Sequence, residues 1–281
     1  MSELSGLLGM VNGEKTVRNW RISETASLPP YAASNTHGIV GHVRANRDWS
    51  GSFELYGDLP AVLPAENFTF LGSIDGAKGV SGPAIVDEVV INYDIEGGAP
   101  VSCTVNFSGN GALLVNQTAA LSDTDLPTIY AGIDTSLELA TMGASDWNTA
   151  AAPAHLRTMS LTLSASNVSY ASSDTEGWIK RKRGNITVSF SYSVYAEDEE
   201  LANYVAANTL CKVELFSNAA RSWILEGCLM ESISDVVVDI EGPAMVGFTQ
   251  AGKFCAHFLK NSTWTEGEII APDASTYWPP A

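Results

Sequence analysis

Tyr31-Ala-Ala-Ser-Asn-Thr-His-Gly38 returns later in the chain as Tyr170-Ala-Ser-Ser-Asp-Thr-Glu-Gly177, identical at five of eight positions with an offset of 139 residues. At that offset Val17-Arg18-x-Trp20-x-Ile22 falls on Leu156-Arg157-x-Met159-x-Leu161. Asp94-Ile95-Glu96-Gly97 matches Asp239-Ile240-Glu241-Gly242 at 145, and Phe107-x-x-x-Gly111 matches Phe248-x-x-x-Gly252 at 141. One such match is chance. Four in the same order, with offsets that drift as small loop insertions make them drift, mark a repeat. The chain therefore reads as a duplicated domain, with a first copy over 1–118 and a second over 154–262. An Ala/Ser/Thr/Asp-rich linker fills 119–153, and a short Pro-rich tail covers 263–281.

The matched segments alternate with a period of two, as half-buried strands do. Trp49, Gly51, Phe53 and Leu55 share one face; Ser50, Ser52, Glu54 and Tyr56 share the other. In the second copy Ile186, Val188, Phe190 and Tyr192 oppose Thr187, Ser189, Ser191 and Ser193. A third strand puts Val89, Ile91, Tyr93 and Ile95 inward, and its partner puts Val236, Val238 and Ile240 inward. One apolar and one polar face is the mark of antiparallel strands that cover a core on one side. A helix is expected from Glu197 to Ala206, where acids crowd the first turn and Leu201, Tyr204 and Val205 keep helical spacing. The matching stretch Asp58–Pro64 carries two prolines and reads as a loop or a single turn. The fold class is mainly β, with two tandem, similar antiparallel domains, each with a small flanking helix or loop.

Composition narrows the function. The 281 residues carry 15 Lys and Arg against 32 Asp and Glu, a net charge of −17, with 45% hydrophobic residues. That is enough apolar material for real cores and too little charge for a disordered chain. The deficit of positive charge argues against general affinity for phosphate backbones and against docking on anionic membranes. The start Met1-Ser-Glu-Leu-Ser-Gly-Leu-Leu-Gly-Met10 has neither a basic stretch nor a sustained apolar run, so no signal peptide is expected. No stretch approaches eighteen consecutive apolar residues, the length that spans a membrane. Cys103, Cys211, Cys228 and Cys255 are scattered and read as buried thiols.

Catalytic signatures are nearly lacking. The four histidines (His37, His42, His155, His257) fall at no zinc-ligand spacing. Gly79-Val-Ser-Gly-Pro83 lacks the last glycine of a nucleophile elbow, and Gly72-Ser-Ile-Asp-Gly-Ala-Lys78 lacks the closing Gly-Lys-Ser/Thr of a phosphate loop. Asp123-Thr-Asp125 is not followed by the glycine and glutamate of a calcium loop. The acid pairs Asp94/Glu96 and Asp239/Glu241 resemble a glycosidase pair, but they recur once per repeat on an outward strand face. A solvated or interface-forming acidic face is the better reading, with no enzyme activity and no cofactor or metal. Lys180-Arg-Lys-Arg183 concentrates positive charge in this acidic chain, and Arg44 and Arg47 repeat it more sparsely in the first copy. Besides a solvated turn or a nucleic-acid patch, basic residues at one position of both copies suit docking on an acidic surface of another copy.

The pattern Val17-Arg-Asn-Trp20, then a Ser/Thr-rich excursion to Gly41, then Arg47-Asp-Trp-Ser-Gly-Ser-Phe53 resembles the major tail tube proteins of long-tailed bacteriophages. The second copy keeps Gly177-Trp178-x-Lys180 but has lost the Trp-Ser-Gly at Arg183-Gly-Asn-Ile186. The resemblance implies a β-sandwich or half-barrel per repeat, polymerised as stacked rings into a hollow tube that conducts DNA around a tape-measure protein. It further implies tail-terminator and distal tail partners, a place in the virion tail and assembly in the host cytoplasm. A duplicated chain would form trimers with pseudo-sixfold symmetry, where single-domain subunits form hexamers. Contact between rings or subunits is expected through the excursions 24–48 and 163–185, both longer than ordinary loops. The first offers Tyr31, Asn35, Thr36, Arg44 and Arg47; the second offers Tyr170, Asp174, Thr175, Trp178, Lys180, Arg181, Lys182 and Arg183. Glu88, Asp94, Glu96, Asp235, Asp239 and Glu241 are the candidates for the lumen, where like charge keeps DNA from adhering. Competing readings are a distal tail or decoration subunit, a carbohydrate-binding β-sandwich using exposed Trp178 and Trp278, and an acidic-site hydrolase using Glu96 and Glu241.

Overall fold

The computed structural model describes residues 17–32, 37, 39–57, 62–73, 78–118, 129–141, 156–196, 211–218, 221–238, 246–253 and 256–260. Nearly all regular structure within them is strand, and the paired strands are antiparallel, in line with strands that carry one apolar and one polar face. The first strands are β1 (Val17–Ala26), β2 (Pro30–Tyr31), β3 (Gly41–His42), β4 (Arg47–Tyr56), β5 (Asn67–Ser73) and β6 (Lys78–Asp94). They continue as β7 (Ser102–Gly109), β8 (Leu114–Thr118), β9 (Ser136–Thr141), β10 (Leu156–Ala165), β11 (Val168–Tyr170) and β12 (Lys180–Lys182). The last are β13 (Ile186–Ala196), β14 (Cys211–Asn218), β15 (Arg221–Val238), β16 (Val246–Lys253) and β17 (Ala256–Lys260). Among the described residues, single turns of 3-10 helix lie at Gly132–Asp134 and Ser173–Thr175. The helix expected at 197–206 lies outside the described residues, as do the tail 263–281 and most of the stretch 119–153, whose described part supplies β9.

Strand order repeats along the chain. β1, β4, β7 and β6 are neighbours in that order, with β5 and β8 also paired to β6. Nine strands later β10, β13, β16 and β15 are neighbours in the same order, with β14 and β17 also paired to β15. The short hairpins correspond too, β2 with β3 and β11 with β12. β9 stands outside this correspondence and pairs with β14.

By contacts the chain divides into two compact units, each drawn from three stretches: Met1–Val89, Thr104–Pro127 and Ser164–Ile186 in one, Val90–Cys103, Thr128–Leu163 and Thr187–Ala281 in the other. In the first, Phe107 of β7 is the centre of the core. Its ring stacks on Phe70 at 5.0 Å and meets Phe68 edge-on at 5.4 Å, Trp49 at 6.0 Å and Phe53 at 6.1 Å. Such pairs add to the energy of burial. Room for the rings comes from glycines: a Cβ at Gly51 would stand 2.6 Å from the Phe107 ring, and one at Gly82 would stand 2.7 Å from Trp49. The second unit buries Met159, Leu161 and Leu163 of β10 and Val188, Phe190 and Tyr192 of β13, each set alternating along its strand.

Replacing Phe107 by Ala should cost about 3–5 kcal/mol, because four aromatic neighbours lose their common contact. Urea unfolding followed by tryptophan fluorescence measures it; a loss below about 1 kcal/mol, the size of a single methylene, would show that the cluster does not centre on this ring.

Candidate functional site

The described parts of the two excursions pair in one register. Pro30 pairs with His42 and Tyr31 with Gly41; exactly the same register, moved by 139 residues, pairs Ser169 with Arg181 and Tyr170 with Lys180. Both hairpins close on the same backbone bond: Ser27 donates its N–H to Asn46 O at 3.1 Å, and Ser166 to Asn185 O at 2.8 Å. His37 and Glu176 occupy equivalent places and both adopt left-handed backbone, with φ of 49° and 52°. A residue with a side chain rarely takes that conformation, and here both do, 139 residues apart. In the second hairpin Ser172 and Thr175 cap each other's backbone around the 3-10 turn. The Ser172 hydroxyl and its own backbone amide hold the Asp174 carboxyl below the usual carboxylate value.

What differs is the surroundings. The return side of the second hairpin lies against the head of β4, inside the first unit. Arg47 donates its N–H to Gly177 O at 2.8 Å and accepts from Ile179 N–H at 2.9 Å, a short parallel bridge. The Arg47 guanidinium sits 4.0 Å from the centre of the Trp178 ring and donates through Nε to Glu24 at 2.7 Å. Arg181 takes both oxygens of Asp48, at 2.8 and 2.6 Å, and also donates to Gly109 O at 2.5 Å. Its backbone N–H reaches Asn110 Oδ1 at 2.7 Å. A fork-to-fork pair of this kind is stronger and more directional than a point contact. Asn167 completes the seam by donating to Val86 O and to Asp87 Oδ1, at 2.9 and 2.8 Å.

This seam explains the Arg47-Asp-Trp-Ser-Gly-Ser52 run. Arg47 covers Trp178, and Asp48 holds Arg181. Trp49 enters the core and donates its indole N–H to Gly111 O at 2.9 Å. Gly51 leaves space for Phe107, and Ser52 accepts from Arg21 Nε at 2.9 Å.

The first hairpin has no such cover. Leu28, Tyr31, Ile39, Val40 and Val43 are all at least half exposed. Ile39, at the position equivalent to Trp178, is 72% exposed, against 9% for Trp178. Across this hairpin Tyr31 lies over Gly41, where a Cβ would stand 2.7 Å from its ring.

Of the residues expected at an interface, Trp178 and Thr175 are buried, and Arg47 and Arg181 are engaged within the chain. Trp178 is thus not the exposed aromatic that a carbohydrate platform requires; Arg47 covers it. Tyr31, Arg44, Tyr170, Lys182 and Arg183 are exposed, Lys180 is half-buried, and Lys182 lies 5.5 Å from the Tyr170 ring. Asn35 and Thr36 lie outside the described residues. Among the lumen candidates, Glu88 accepts from Asn106 at 2.9 Å, Asp94 caps its turn by accepting from Gly97 N–H at 2.8 Å, and Glu96 pairs with Arg157 at 2.7 Å. Asp235 lies in β15; Asp239 and Glu241 lie outside the described residues. Among the described residues, no three His, Cys, Asp or Glu side chains gather as a metal site, and no helix is long and apolar enough to cross a membrane.

No family model matches the sequence, and no curated protein matches it. A solved structure described as the tail of an empty GTA particle, refined helically with C6 symmetry, is similar to half of this chain and to 98% of its own chain. The two are 16% identical with a TM-score of 0.37, values below those at which a shared fold follows.

Asp48→Ala should cost about 2–4 kcal/mol, because the Arg181 guanidinium is left nearly buried without its counter-charge, with only Gly109 O still accepting from it. The exposed Arg18–Glu54 pair, at 3.1 Å, should contribute no more than about 1 kcal/mol. Double-mutant cycles on both pairs check this; equal coupling energies would contradict it.

Proposed function

We propose that the protein is a structural subunit of a phage-like tail, stacked as rings into a hollow tube through which DNA passes. The observation that carries the reading is the doubled strand order with its doubled hairpin, since a ring assembles from like parts. The resemblance of Arg47-Asp-Trp-Ser-Gly-Ser52 to tail tube proteins supplies the kind of assembly. The tandem duplication, with domains over 1–118 and 154–262, makes three chains with pseudo-sixfold symmetry the natural ring. The chain would act in the virion tail after assembly in the host cytoplasm, with tape-measure, terminator and distal tail proteins as partners.

A bore for DNA needs negative charge that is not cancelled. Glu88 and Asp94 accept from neutral donors, an amide side chain and a backbone N–H. Glu96 shares its charge with Arg157. Glu88 and Asp94, with Asp235, Asp239 and Glu241 of the second copy, are our candidates for the bore. A net charge of −17 adds a repulsive background for a polyanion.

Negative-stain micrographs of the concentrated protein should contain long tubes of uniform width. Removing residues 31–41 should leave a folded protein that forms none. Monomers from the intact chain would contradict the tube, and normal tubes from the shortened chain would contradict the role of the first excursion.

A further inference from the structure

We infer that the first hairpin docks on a second copy of the chain, at the head of its β13, as the second hairpin docks on the head of β4 within its own chain. The inference rests on the reading of the protein as a self-assembling subunit and names the surface that joins the copies.

Within one chain the seam has a donor, Gly177 to Arg181, and an acceptor, Arg47 and Asp48. Moving both by 139 residues names the equivalent residues of the other repeat. The donor Trp178-Ile179 becomes Ile39-Val40, and the acceptor Arg47-Asp48 becomes Ile186-Thr187. The donor exists in the same hairpin register and is uncovered. The acceptor opens β13, at the place where Arg47 opens β4.

The side chains change together. In the filled seam a cation lies on an aromatic ring, Arg47 on Trp178. In the equivalent seam both positions are isoleucine, Ile186 and Ile39, so an apolar pair replaces the cation–aromatic pair. The ion pair Asp48–Arg181 becomes Thr187 and His42, and His42 holds Leu28 O through Nδ1 at 3.1 Å within its own hairpin. Each donor is matched to its own acceptor, and a crossed pairing would set Arg47 on Ile39 or leave Arg181 facing Thr187. Specificity here comes from what the wrong pairing leaves unpaired. The second hairpin therefore stays at home, and the first is free to join the next chain. A head-to-tail contact of this kind closes into a ring when the rotation allows.

The test is a cysteine pair, Ile39→Cys with Ile186→Cys, in the full chain under mild oxidation. The expected result on non-reducing gels is a ladder of linked chains ending at the trimer, at least tenfold more abundant than with either single variant or with the native cysteines alone. His42→Cys with Thr187→Cys provides a second pair if Ile186→Cys impairs folding. A cross-link confined to single chains, or no ladder from either pair while the wild type still forms tubes, overturns the inference and leaves the tube reading intact. A wild-type chain that never assembles overturns the reading beneath it.

Discussion

Asp48 and Arg181 lie 133 residues apart in sequence and share two hydrogen bonds, at 2.8 and 2.6 Å. Closing so long a loop is entropically costly, and the cost is met by several bonds that act together. The parallel bridge at Arg47, the cation–aromatic contact with Trp178 and the Asn167 amide all lie along the same seam. Strand geometry makes this compatible with the core. Successive residues of β4 point to opposite faces, so Asp48 can face the hairpin while Trp49 enters the aromatic cluster around Phe107. One short run thus anchors the core and the seam together.

The two hairpins share a backbone and differ in environment, and the difference lies in their side chains. Where the return side is covered, the sequence places Trp178 and Arg181, with Asn167 across the hairpin, groups able to satisfy a polar seam. Where it is open, the sequence places Leu28, Ile39, Val40 and Val43. Apolar groups on an extended hairpin favour neither solubility nor the isolated fold, and they suit a surface that another copy covers. Glu88 and Asp94 stand elsewhere, on a strand face and at a turn, each accepting from a neutral donor.

Much of this was legible in the sequence. Period-two alternation identified β4, β6 and β13 and their buried faces, because half-buried strands impose it directly. The Tyr31 and Tyr170 octets located both hairpins. The match of Ser27 and Asn46 with Ser166 and Asn185 was equally present in the sequence, yet two identities nineteen residues apart carry little weight until a hydrogen bond joins each pair. The left-handed backbone of His37 and Glu176 had no signal, since neither residue type announces it. Arg181 and Trp178 read as exposed because local pattern shows that a segment leaves the sheet and not where it returns. Only the long-range partner Asp48, with Arg47 over the indole, determines that.

In the proposed ring one chain supplies two quasi-equivalent positions. Native mass spectrometry of rings released from tubes at low ionic strength tests it most directly. The account predicts a species of three chains, each of 29.8 kDa, with no intermediate favoured at six. A ring of six full-length chains would contradict it, because the second hairpin would then need no equivalent of the first.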